Sequence, residues 1–363
     1  MWVWFFMLLC IVAARFLVPD ALGEKKKKLI FLAITFGVIV FFSGSRCPIY
    51  NMYRGDLYDY YYFYKAAIRM PFSEYMESFS FEIGYRLLNE ILAWFVPWPY
   101  FIIYFESAFT TGIMLWYIYR NSDDVFLSVI FYICAGPWGF FLTGFRQSFA
   151  VCICIIALEM MKKRKWQWDL GAAIVVLVAV SFHSTALIFF LAFLLRYLRI
   201  NKKIIGAAFV LTAVSTLFIE DVLLFFNEVW DKGYQNMYKG NILGGIVPIA
   251  IFTISLILCY YSWESDHSCM DNMQFELIML FVGLCIYLLR YQAIVLERIS
   301  LYFTPVVSVV LTNGVARIKN KTTRNILLVL ACGLGMALFI YRNEYQDGKY
   351  YFFWQYLENR ITY

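Results

Sequence analysis

Apolar runs of 14 to 20 residues follow one another along this chain, and four clusters of basic residues punctuate them. The clusters are Lys25 to Lys28; Lys162, Lys163, Arg164 and Lys165; Arg196, Arg199, Lys202 and Lys203; and Arg317, Lys319, Lys321 and Arg324. A helical run of about 20 apolar residues crosses a hydrocarbon core, and Lys and Arg collect in cytoplasmic loops. Hydrophobic residues make up 62% of the chain, charged ones only 15%, and mean hydropathy is +0.67, which leaves too little polar surface for a water-soluble enzyme. At roughly 30 residues per crossing and loop, the 363 residues hold about twelve passes and no large soluble domain. The expected fold class is an all-α polytopic membrane protein, with residues 1–363 forming a single integral membrane domain.

If all four clusters are cytoplasmic, an even number of crossings separates each from the next. Asp169–Phe182 and Ser184–Tyr197 fill the second interval and turn at His183. Ile204–Ile219, Leu243–Tyr261, Met273–Leu289 and Ile299–Gly314 fill the third, and Ile326–Tyr341 then runs outward. The first interval holds five runs where parity allows four: Leu29–Ser45, Ile83–Val96, Tyr100–Tyr119, Val125–Leu142 and Gln147–Met161. Ile83–Val96 is the weakest crossing, with 14 residues, Arg86 and Glu90 inside it, and Pro97-Trp98-Pro99 at its end. We expect it to be a re-entrant or interfacial helix on the outer side. Irregular backbone at that depth needs the cover of protein or a wet cavity, which itself hints at a site. The N-terminal run Trp2–Val18 lacks a basic n-region and a small-x-small cleavage site, so it is expected to be a retained helix. The count is then about twelve spans with both termini outside and outer loops at 46–99, 144–147, 220–242 and 290–298.

This arrangement puts eleven lysines and seven arginines inside, against four lysines and nine arginines outside. An arginine-rich outer face suits bidentate recognition of phosphate or carboxylate. The outer segments also gather most of the reactive side chains. Arg54, Asp56 and Asp59 lie in a tyrosine-rich loop that includes Tyr60-Tyr61-Tyr62; Gly144-Phe145-Arg146-Gln147 is a tight turn; His183 sits at a hairpin; and Arg290 and Arg298 flank a short loop. Each has a plain structural role open to it. Asp56 suits the N-cap of a helix starting at Leu57. The tyrosines suit an interfacial belt as well as stacking on sugar faces. Arg290 suits snorkelling, and Glu297 with Arg298 suits a local ion pair. Arg146, between two strongly apolar runs, is harder to place in a structural role, and an ionisable group at membrane depth such as His183 is a functional candidate by default. Glu264 to Asp271, with His267, reads as a hydrophilic connector rather than a metal site, and the nine cysteines have neither zinc spacing nor a disulfide pattern. No soluble basic domain points to nucleic acid.

Five segments, in order from about residue 43 to 345, resemble the EpsG/Wzy-type bacterial polysaccharide polymerases. They are Arg54-Gly55-Asp56-Leu57-Tyr58-Asp59-Tyr60-Tyr61, Phe81-Glu82-Ile83-Gly84-Tyr85-Arg86-Leu87-Leu88, Phe145-Arg146-Gln147, Phe182-His183-Ser184, and Glu297-Arg298 before Tyr302-Phe303. One departure is Gly55, which stands where the family has a Thr. The resemblance implies a GT-C-like membrane glycosyltransferase that needs no cofactor or metal. Its substrates would be undecaprenyl-pyrophosphate-linked glycans, one as donor and one as acceptor, for O-antigen, capsule or exopolysaccharide. It would sit in the bacterial cytoplasmic membrane with its site facing outward, beside a flippase and a chain-length regulator.

On that reading Arg146, Arg290 and Arg298, with Arg54, Arg86 and Gln147, hold the pyrophosphate and its glycan. His183, Asp56 or Glu82 is the base for the acceptor hydroxyl. The alternatives are a lipid-linked oligosaccharide flippase, which would bind the same pyrophosphate, and a ligase-type transferase. A nucleotide-sugar enzyme would need an inner domain with an acidic metal motif, for which Asp123-Asp124 in a short loop is a poor substitute.

Overall fold

The computed structural model describes residues 2–19, 23–49, 56–199, 202–219, 221, 242–264, 267–345 and 350–355, and the regular structure among them is helical. The chain divides into two compact units, Met1–Cys134 with Trp138–Leu187 and Phe339–Tyr363, and Ala135–Pro137 with Ile188–Leu338. The helices of the first unit are α1 (Trp2–Leu17), α2 (Glu24–Gly44), α3 (Leu57–Arg69), α4 (Phe72–Ser78), α5 (Ile83–Phe95), α6 (Phe101–Asn121), α7 (Val125–Cys134), α8 (Trp138–Phe141), α9 (Phe145–Met161) and α10 (Trp166–Phe182). Those of the second are α11 (Leu191–Leu195), α12 (Lys202–Ser215), α13 (Ile242–Glu264), α14 (His267–Leu288), α15 (Val295–Ser300) and α16 (Val307–Ala316), and α17 (Lys321–Tyr345) runs from it into the first.

In the first unit α9 is the core helix. It is apolar around its circumference, and every residue from Gln147 to Ile155 is buried. A helix with that pattern has to be surrounded, and α6 and α10 pack along it. Toward α9, α10 turns the small residues Ala172, Val176 and Ala179; on its other side Leu170, Ile174, Leu177 and Val178 are exposed. Those four positions share one face at helical spacing, and water would penalise such a stripe at about 25 cal/mol per Å². Hydrocarbon removes that cost, so the chain is a polytopic membrane protein. At the far end of α9, buried Glu159 accepts from Arg120 Nε at 2.9 Å, Asn121 Nδ2 at 3.0 Å and Lys162 Nζ at 2.5 Å, which ties α6 to α9.

Among the described residues, four helical stretches are long and apolar enough to cross a bilayer: Glu24–Gly44, Phe101–Asn121, Met273–Tyr291 and Lys321–Asn343. Seven further apolar helices among those residues have 10 to 17 residues. Three of the continuous runs expected from the sequence are interrupted. Val125–Leu142 breaks at Ala135-Gly136-Pro137 between α7 and α8, since proline disfavours helix in the residue before it. Ile299–Gly314 breaks after Ser300, and Pro305 opens a 3-10 turn that leads into α16. Ser184–Tyr197 is a 3-10 turn over Ser184–Phe190 followed by α11. Helix α5 has 13 residues and spans about 20 Å, well short of a hydrocarbon core.

Candidate functional site

The first unit gathers three of the expected residues around the start of α5. Glu82 occupies the N-cap position of α5, Arg146 is the second residue of α9, and His183 follows α10 in extended backbone. The Glu82 carboxylate links the three elements. Its Oε2 accepts from Arg146 Nη1 at 2.6 Å, and its Oε1 accepts the Ser184 backbone N–H at 3.1 Å. The same Oε1 lies 3.4 Å from His183 Nδ1. All three side chains are partly accessible, at 13% for Glu82, 19% for His183 and 30% for Arg146, so a ligand can reach them. The N-termini of α5 and α9 both point here, which adds their positive dipole ends to the site.

Burial alone would raise the Glu82 pKa. The hydrogen bond and charge of His183, then the charge of Arg146 and the Ser184 N–H, more than offset it and hold the carboxyl well below the usual carboxylate range. The stabilisation from the ionised form is therefore complete above the unfolded value of about 4.3 and is lost as pH falls toward the lower folded value. Thermal midpoints measured against pH are expected to be level in this contribution from about pH 5 to 7 and to drop in more acid buffer. In Glu82→Gln that acid limb should be weaker.

Close packing of α5 on the end of α10 brings Glu82 to Ser184, and it depends on Gly84. A Cβ at Gly84 would run into the Ser181 side chain and stand 2.7 Å from the Ser181 carbonyl oxygen. Ordinary van der Waals contact needs more than 3.4 Å there, so the backbone itself would have to give way. Gly84→Ala is expected to cost about 1–3 kcal/mol of stability and to lower activity with it, read by thermal unfolding and a transfer assay on the same preparation. The remainder of α5 is held from both sides. Tyr85 is fully buried, Asn89 Nδ2 donates to the Tyr75 hydroxyl at 3.0 Å, and the Tyr64 hydroxyl donates to the Val96 carbonyl at 2.8 Å.

Tyr60, which the sequence did not single out from its neighbours, completes the corner. Its ring stacks on Phe145 with centroids 4.7 Å apart and meets Tyr85 edge-on at 5.6 Å. Burial, opposed by Arg146, pushes its phenol up to about 12, so it stays protonated beside the guanidinium. The Arg146 guanidinium also lies 5.6 Å over the Phe81 ring. Asp56 stands at the N-cap position of α3 without a side-chain cap bond; it is exposed and close enough to Tyr60 to raise its pKa. Gln147 is buried in α9.

Other expected residues have different surroundings. Arg54 lies outside the described residues, as does the outer segment 222–241. Arg86, one turn beyond Glu82, donates through Nη1 to the Met76 carbonyl and, at 3.0 Å, to the Phe79 carbonyl. It thereby closes the turn between α4 and α5. Arg86→Ala is expected to cost about 1.5–3 kcal/mol in thermal or denaturant unfolding, the range for hydrogen bonds from a charged donor.

In the second unit, Arg290 is buried and donates through Nε to Glu297 Oε2 at 2.8 Å. Glu297 thus reaches back across the loop rather than serving only its neighbour Arg298, which is exposed on α15. The Arg290 guanidinium stacks between Tyr287 and Tyr291, 5.4 and 5.8 Å from their centroids. Gly245 of α13 leaves room for it: a Cβ there would stand 2.5 Å from Arg290 Nη1. Among the described residues no cluster of three or more His, Cys, Asp or Glu side chains is disposed to hold a metal ion.

Neither a curated relative nor a solved structure matches the chain. The EpsG family does match, over residues 29–357, a stretch that contains α2 from Leu29 onward, all of α3 to α17 and every residue of the site just described. The chain belongs to the EpsG family.

Proposed function

We propose that this membrane protein is a polysaccharide polymerase that transfers a polyprenyl-pyrophosphate-linked glycan onto a second lipid-linked repeat unit at the outer face of the cytoplasmic membrane. Membership of the EpsG family supports the polymerase class. The observation that carries the residue assignment is the Glu82 carboxylate, which pairs with the Arg146 cation and lies 3.4 Å from the His183 imidazole at an accessible helix end. Glycosyl transfer from a pyrophosphate asks for that pair. The acceptor hydroxyl oxygen attacks the anomeric carbon, the bond from that carbon to the pyrophosphate oxygen breaks, and the electron pair leaves with the phosphate. Arg146 faces the negative charge that grows on the leaving group, where a fixed donor is worth most. His183 takes the proton that the hydroxyl gives up, as an imidazole with pKa near neutrality is suited to do. Asp56, beyond Tyr60, is assigned to accept a hydrogen bond from the incoming glycan. Arg290, Arg298, Arg54 and Gln147 are proposed to contact the pyrophosphate or its glycan.

Deleting the encoding gene in its host is the cellular test. Single repeat units on the lipid carrier should accumulate and long polymer should vanish, and the wild-type chain should restore both. Unchanged polymer length in the deletion strain would overturn the assignment.

A further inference from the structure

We infer that Phe81, Phe79, Phe63 and Tyr62 form a stacking shelf beside the Glu82–Arg146 corner, which takes the sugar rings of the lipid-linked glycan that adjoin its pyrophosphate. The link to the pyrophosphate rests on the proposed role of Arg146, whereas the suitability of the shelf for a glycan does not.

The four rings form one continuous group. The Phe63 centroid lies 4.6 Å from that of Phe81 and 5.1 Å from that of Phe79, and Phe79 lies 5.5 Å from Phe81. Tyr62 meets Phe63 at 6.4 Å and Phe79 at 6.5 Å. Two fully buried rings support the group: Tyr85 is 5.6 Å from Phe81 and Tyr75 is 5.1 Å from Phe79. The three phenylalanines stay partly accessible, and Tyr62 is 50% exposed. One end of the shelf is joined to the site, because the Arg146 guanidinium stands 5.6 Å over the Phe81 ring. A sugar bonded to a phosphate on Arg146 thus has Phe81 as its neighbour, and Tyr62 marks the far end of the shelf.

Hydrocarbon is the other surface such rings could meet, and their surroundings argue against it. Asp59 on α3, and Glu74 and Glu77 on α4, are exposed on the two helices that flank the rings. Charged side chains in lipid carry a heavy cost. The outer side of α5 shows the contrast: Ile83, Leu87, Ile91 and Trp94 form an exposed, uncharged stripe at helical spacing, as a lipid-facing surface does. An accessible aromatic group rimmed by charge is instead the mark of a ligand site. A sugar suits both parts of it. Its C–H face meets the negative face of a ring, and its edge hydroxyls donate to carboxylates.

Two probes separate sugar from lipid-carrier recognition by the full-length protein in nanodiscs: the free repeat-unit oligosaccharide, cut from the host's own polymer, and polyprenyl pyrophosphate without a glycan. Saturation-transfer NMR should show the ring C–H protons of the oligosaccharide receiving magnetisation from the wild-type protein. Tyr62→Ala and Phe81→Leu should each weaken oligosaccharide binding by about 3- to 10-fold, the order of one ring-stacking contribution, and leave binding of polyprenyl pyrophosphate unchanged. Tyr62 is half exposed, so its variant tests the shelf without disturbing the fold. A wild-type protein that does not bind the oligosaccharide, a Tyr62→Ala variant that binds it as the wild type does, or an equal loss of polyprenyl pyrophosphate would each overturn the inference. None of these measurements needs turnover. The shelf can therefore fail while the polymerase reading stands, or bind sugar while that reading falls.

Discussion

Arg146→Ala is expected to cut chain extension by about 10² to 10³-fold or more, the usual cost of removing one preorganised donor from a developing oxyanion. The effect has two sources. The leaving pyrophosphate loses the cation that faces it, and Glu82 loses the partner on Oε2. Removing one member of a largely buried ion pair leaves the other uncompensated, which costs up to about 3–5 kcal/mol when burial is complete and less here, where Arg146 remains 30% accessible. Arg146→Lys separates the two contributions. It keeps a positive charge for Glu82 but not the planar fork that a phosphate accepts. Thermal unfolding should place the Lys variant near the wild type, whereas the ladder assay should place it near the Ala variant. A Lys variant with full chain extension would show that charge alone suffices.

His183→Ala is expected to lower the rate of transfer by about 10² to 10⁴-fold, the range for losing a positioned general base. Binding of the lipid-linked substrates should change little, because the pyrophosphate is assigned to arginines. The informative readout is thus the split between rate and apparent affinity. A loss confined to the Michaelis constant, with the maximal rate intact, would assign His183 to substrate binding instead. Imidazole added to the Ala variant offers a further check, since a small diffusible base can restore part of the rate when only a proton acceptor is missing. Rescue should rise with the neutral fraction of the added imidazole, and therefore with pH across its titration.

Much of this arrangement was legible in the sequence, and the limits have physical causes. Run lengths and basic clusters identify an all-helical membrane protein, because hydrocarbon permits few other solutions. The shortness of Ile83–Val96 sets it apart from the crossings, and it folds as the 13-residue α5. Arg146 and His183 are visible as isolated polar side chains at the ends of apolar runs, and Glu82 through its segment's resemblance to the family. Their meeting on one carboxylate is not, since 37 residues separate His183 from Arg146 and 64 separate Arg146 from Glu82.

Gly84 illustrates the same limit: its role exists only where α5 crosses the end of α10, and nothing local marks it. Arg86 resembles a substrate ligand by residue type, yet the carbonyls of a nearby turn engage it. Tyr60 could not be told from Tyr61 or Tyr62 without the helical phase of α3. The broken runs at Ala135-Gly136-Pro137 and at Pro305 carry a proline signal, whereas the 3-10 turn after His183 carries none that periodicity can detect.

Reconstitution of the purified protein into liposomes with polyprenyl-pyrophosphate-linked repeat units tests the polymerase reading most directly. The expected result is a ladder of glycans that grows by whole repeat units, is abolished by Arg146→Ala and His183→Ala, and releases free polyprenyl pyrophosphate in step with each addition. Transbilayer movement of the lipid-linked unit with no ladder and no released pyrophosphate lipid would contradict it and indicate a flippase.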